Sequence, residues 1–132
     1  MLETNRSREI MDDARSLQRE AVYLLEQGDI RDAAEKAWCA TLRATNALIL
    51  ARTGEEPQRT PATARILDDL TSADARVGSL VGRYYSRQTS LHGDCFYLGL
   101  PPTRHTERRI RETADYIRDA ERFAGMLPGD SE

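Results

Sequence analysis

The sequence predicts an all-α fold, an antiparallel helical bundle of four long helices plus one short helix. Three observations carry that reading. Alanine and leucine together number 30 against nine valines and isoleucines, so strong helix formers far outweigh β-branched residues. Apolar residues recur three and four positions apart through most of the chain, and glycine or proline closes each run. No stretch keeps the strict alternation of a half-buried strand.

The first helix spans Asn5 to about Gln27, with Ile10, Ala14, Leu17, Ala21, Val22, Leu24 and Leu25 on its apolar side and Gly28 as its stop. Asp29 caps a second helix whose inward face reads Ile30, Ala33, Ala34, Ala37, Trp38, Thr41, Ala44, Leu48 and Ala51, ending before Gly54. So short a turn folds the first two helices into an antiparallel hairpin. After the polar stretch 54–60, Thr60 followed by Pro61 marks an N-cap and first turn, and predicts a short helix near 61–71. The fourth helix runs from about Ala73 to Leu98, turning Val77, Leu80, Val81, Tyr84, Leu91, Cys95 and Phe96 to one side, and Gly99 with Pro101 and Pro102 ends it. A fifth begins near Thr103 and turns Ile110, Ala114, Ile117, Ala120 and Ala124 inward. Residues 1–132 read as a single domain with a frayed tail at 128–132.

Several classes are excluded at this level. The longest stretch free of charge is nine residues, Cys95 to Thr103, against the roughly 20 apolar residues of a membrane span. Six charged residues within the first 13 positions leave no room for a secretory signal, so the expected location is the cytoplasm. Cys39 and Cys95 stand alone, and His92 with Cys95 supplies half of a zinc set at most; no metal or cofactor is expected.

The net charge of −3 conceals an uneven distribution. Residues 76–111 hold seven arginines and two acids, while the segments on either side are acidic. These arginines serve either as solvated helix faces or as a site for phosphate. Within the island lies Arg87-Gln88-Thr89-Ser90-Leu91-His92. Arginine is permanently charged and can hold a phosphorane, and histidine exchanges a proton near neutral pH, so the pair has the chemistry that RNA cleavage needs.

This arginine, four residues, then histidine resembles the motif of HEPN-type helical domains, with Gln88 in the polar position after the arginine. The strings Gly28-Asp-Ile-Arg-Asp-Ala-Ala-Glu-Lys-Ala-Trp38 and Ser90-Leu-His-Gly-Asp-Cys-Phe-Tyr97 are similar to the archaeal paREP branch related to HEPN proteins, over most of residues 10–125. The resemblance implies a homodimeric, metal-independent endoribonuclease of toxin type, or a descendant that kept the scaffold, with a nucleotidyltransferase-type antitoxin as partner. On that reading Arg87 and His92 are catalytic, and Arg83, Gln88, Arg104 and Arg108 bind phosphate or support the site.

On a regular helix, at 100° per residue, Arg87 and His92 lie about 140° apart and cannot share one phosphate. Between them runs a stripe of small residues, Gly78, Gly82, Ser86, Thr89 and Gly93. Packed against its own copy, that stripe forms a two-fold interface and a composite site; packed against another helix of the same chain, it is core. Two other functions compete: a non-catalytic nucleotide- or partner-binding module, and a tetratricopeptide-like scaffold built on the 21–42 hairpin, which occurs once where such repeats need about three.

Overall fold

Asp29 makes the first structural decision in the chain. Its side chain accepts from the amide of Asp32 at 3.2 Å, and Gly28 just before it takes a φ of 88° that L side chains avoid, so α1 (Leu2–Glu26) stops and α2 (Ile30–Thr53) returns alongside it. The computed structural model describes residues 2–127, and the expected frayed tail at 128–132 lies outside them.

Alanine sets how closely that hairpin packs. Ala14 and Ala21 of α1 and Ala33, Ala34, Ala37, Ala40, Ala44 and Ala47 of α2 are all fully buried, and α2 touches every other helix described. It is the central helix, which explains why half of it is buried.

Gly54, at φ 81°, turns its amide back to the carbonyl of Leu50 and closes α2. The short helix α3 (Thr60–Ala73) follows with Pro61 in its first turn. Thr60 is already helical, and Arg59 occupies the cap position without a side-chain bond, so the expected Thr60 cap is displaced by one residue. A single 3₁₀ turn, Ala75–Val77, leads into α4 (Gly78–Arg87). α5 (Arg104–Phe123) is opened by a full capping box between Thr103 and Thr106, where the sequence places its start.

The expected continuous fourth helix is corrected in one respect. Residues Gln88–Tyr97 form a π-helix, ten residues long, that continues α4 with a wider turn. Its end is closed by bonds from Leu98 N to Gly93 O and from Leu100 N to Asp94 O, both 2.9 Å, with Gly99 at φ 65° between them. Arg31 of α2 then donates from Nε to Phe96 O at 2.7 Å, which takes up a carbonyl the helix end leaves free.

The core joins Trp38 and Leu48 of α2, Leu67 of α3, Leu80 and Tyr84 of α4, Leu91 of the π segment, and Ile110 and Tyr116 of α5. Trp38 meets Tyr84 edge to face at 5.2 Å, a geometry favoured by the ring quadrupoles. Two expected core positions are corrected: Ala51 and Ala114 are exposed, and Thr113 and Tyr116 take the inward face of α5 instead. Among the described residues there is no strand, and no helix is long and apolar enough to cross a membrane.

Candidate functional site

The arginines of the basic island do not all face water. Arg87 is 5% exposed, at i+7 from Leu80 and i−4 from Leu91, so the helix period carries it to the edge of the core. There its Nη1 donates to the main-chain carbonyl of Arg109 and to Thr113 Oγ1, both at 2.8 Å, and its guanidinium lies 5.9 Å from the Tyr116 ring. Burial, reinforced by the nearby Arg83, pulls its pKa down to about 10, so it remains a cation at neutral pH.

Arg83, Arg87 and Arg109 together line a cavity of about 310 Å³ between α4 and α5, with Ser86, Glu112 and Asp115. Arg83 is held there by Asp119 at 2.7 Å. Three cations against two carboxylates give this lining an excess of positive charge that suits a phosphate oxygen. Arg109 is the residue that sequence reasoning left out of the site. Arg104 is exposed in the first turn of α5 and Arg108 pairs with Glu112 at 3.9 Å, and neither lines the cavity.

His92 turns the other way, towards α2. Its Nδ1 lies 2.8 Å from Glu35 Oε1, and its ring stacks on Phe96 at 6.2 Å and lies 6.3 Å from Trp38. A carboxylate can only accept, so Nδ1 carries the hydrogen, and in the neutral imidazole the lone pair is on Nε2. The ring is half-buried, neither a core histidine nor a free surface one. Nothing in the sequence marks Glu35 as its partner, because 57 positions separate them. Gln88, half-buried, sits on the first turn of the π segment between the two flanks.

The small-residue stripe runs between these flanks. Gly78, Gly82, Ser86 and Thr89 are exposed and Gly93 is half-buried. A Cβ added to Gly82 would meet nothing within 4 Å, and one added to Gly78 would reach only a methyl of Thr71 at 3.9 Å. Among the described residues, Gly82, Ser86 and Thr89 are left exposed by the other helices, while Gly78 lies near α3. Within one chain Arg87 is committed to α5 and His92 to α2.

The cysteines take no part. Cys95 is buried with its Sγ 4.0 Å from Ile30 O, and burial pushes both thiols up, away from reactive thiolates. Among the described residues no three of His, Cys, Asp and Glu gather as metal ligands.

A family model matches this geometry's sequence from end to end of the described site: that of the archaeal PaREP1/PaREP8 family, over residues 9–117. No curated protein and no solved structure matches the chain.

Proposed function

We propose, from the premise that the chain belongs to the archaeal PaREP1/PaREP8 family, that it acts as a HEPN-like homodimer and cleaves RNA without a metal, as a toxin-type endoribonuclease. The observation that carries this reading is the uncovered stripe with a histidine–carboxylate pair on one side and a three-arginine cavity on the other. A two-fold axis running parallel to α4 faces the arginine flank of each chain with the histidine flank of its partner. An axis perpendicular to the helix pairs like with like instead. The parallel arrangement completes two equivalent sites per dimer.

In such a site His92 Nε2 takes the proton of a ribose 2′-hydroxyl, and the 2′-oxygen attacks the adjacent phosphorus. The bond to the 5′-oxygen breaks, that oxygen takes a proton from solvent water, and a 2′,3′-cyclic phosphate remains. Arg87 and Arg109, with Arg83 beside them, hold the non-bridging oxygens whose charge rises in the phosphorane. Glu35 keeps the imidazole in the tautomer that leaves Nε2 basic. A nucleotidyltransferase-type antitoxin is the partner this reading brings with it.

One observation favours a second reading. The Nη1 of Arg87 is already spent on two internal acceptors, as expected of a scaffold that binds a nucleotide or partner without turnover.

Complementation distinguishes the two. Arg87→Met and His92→Ala, each inactive alone on a mixed RNA substrate in EDTA, regain about a quarter of wild-type cleavage when mixed, because half the dimers then carry one intact composite site. RNA or nucleotide binding with no cleavage in any mixture establishes the non-catalytic module.

A further inference from the structure

A second cavity, of about 540 Å³, lies between α1 and α5. At its floor is Gln18, only 6% exposed. The Gln18 amide nitrogen donates to the carbonyl of Ile110 at 2.8 Å, which fixes the orientation of the side chain. Its oxygen, Oε1, is buried without any hydrogen-bond partner. A buried carbonyl left unpaired is costly, and the side chain that carries this one lines the cavity.

The rest of the lining says what kind of donor. Arg15 is paired with Glu121, which leaves Arg19 and Arg118 as cations that no acid pairs among the described residues. Asp115 adds a single carboxylate at the rim. Ala114, Ile117 and Leu127 make an aliphatic wall, and no aromatic ring lines the cavity, so a nucleobase finds no surface on which to stack. An acceptor, a pair of cations and an aliphatic wall together match one small chemistry: a carboxylate, a nitrogen-bound hydrogen and a branched side chain on the same carbon.

We propose that this cavity binds an aliphatic α-amino acid, its carboxylate on Arg19 and Arg118, its nitrogen donating to Gln18 Oε1, and its side chain against Ile117 and Ala114. The same chemistry is offered by a free amino acid and by the C-terminal residue of a peptide. Asp115 separates them, because a free ammonium gains from that carboxylate and an acylated nitrogen does not. Asp115 also lines the arginine cavity, but none of Arg83, Arg87, Arg109, Glu35 and His92 lines this one.

Isothermal titration of the full chain with L-leucine, with N-acetyl-L-leucine and with glycine tests the assignment. Saturable binding of leucine or its acetyl derivative is expected, weakened about tenfold or more in Gln18→Met, which keeps the size and removes the acceptor. Preference for leucine assigns a free amino acid, and preference for the acetyl form a peptide terminus. Arg118 is exposed, so Arg118→Gln provides a variant whose folding is not at stake, and it must also weaken binding. Glycine binding as tightly as leucine, no binding of either leucine ligand, or full affinity in Arg118→Gln or in folded Gln18→Met overturns the proposal and leaves Gln18 Oε1 as the seat of a structural water.

Discussion

Arg87 and Arg109 are joined through the backbone: the guanidinium of the first donates at 2.8 Å to the main-chain carbonyl of the second, while Thr113, whose hydroxyl also accepts from Arg87, donates to that same carbonyl at 3.1 Å. The arginine therefore fixes α4 to α5 as well as contributing charge. Arg87→Ala is expected to cost about 2–4 kcal/mol in urea unfolding, because it removes charge-assisted bonds and opens a cavity beside Tyr116. Arg87→Met, which fills the space, is expected to cost less than about 1.5 kcal/mol. Equal losses in the two variants contradict an anchoring role, and this difference is why the methionine variant serves in the complementation test.

His92 and Glu35 yield a spectroscopic prediction. In the wild-type protein the ¹⁵N shifts of His92 show the hydrogen on Nδ1, and in Glu35→Gln a population with the hydrogen on Nε2 appears. RNA cleavage falls about tenfold or more in the same variant, while the circular dichroism is unchanged. An unaltered tautomer in Glu35→Gln removes Glu35 from the mechanism whatever happens to the rate.

Gly82 offers a clean test of the interface. Since nothing lies within 4 Å of its added Cβ, Gly82→Leu is expected to fold normally and to gain about 0.5–1 kcal/mol from relief of a mid-helix glycine. The bulk it adds holds two stripes apart, so sedimentation velocity shows a monomer and cleavage is lost. A dimer of undiminished affinity places the interface elsewhere.

Two buried tyrosines make alkaline stability informative. Burial pushes Tyr84 up to about 12 and Tyr116 further still, while an unfolded tyrosine ionises near 10. Their folded values are raised, so the stability they confer is complete below pH 10 and is lost as the pH rises towards the folded values. Each contributes a fall of about 1.4 kcal/mol per pH unit. Melting points between pH 9 and 11.5 are expected to fall, and less steeply in Tyr84→Phe. The same substitution is neutral or stabilising at pH 7, since the Tyr84 hydroxyl has no partner, whereas Tyr116→Phe costs about 1 kcal/mol by removing a 2.7 Å bond to Thr45.

What the sequence made legible divides along physical lines. Caps and stops act within a few residues, so Asp29, Pro61 and Thr103 can be read directly, and so can the faces carried by large apolar groups such as Leu80 and Ile110. Ala51 and Ala114 were misplaced because a methyl group fits either face and carries little positional information. Arg87 has the periodicity of a core residue, but its charge assigns it to the surface until a carbonyl is found to receive it. Glu35 and Gln18 became visible only when helices far apart in sequence met, and no local signal announces the π segment at all.

That segment makes motif spacing a matter of phase. Each residue of a π-helix advances the chain around its axis by less than an α-helical residue does, so a deletion that returned Gln88–Tyr97 to ordinary helix would shorten the interval to His92 and also rotate the ring relative to α2. The four residues between arginine and histidine thus act as an angular setting, one that keeps Leu91 in the core while His92 points at Glu35. Chains of this plan that insert or lose one residue there must restore the angle by changing helix type, and the hydrogen-bond ladder will record which of them have done so.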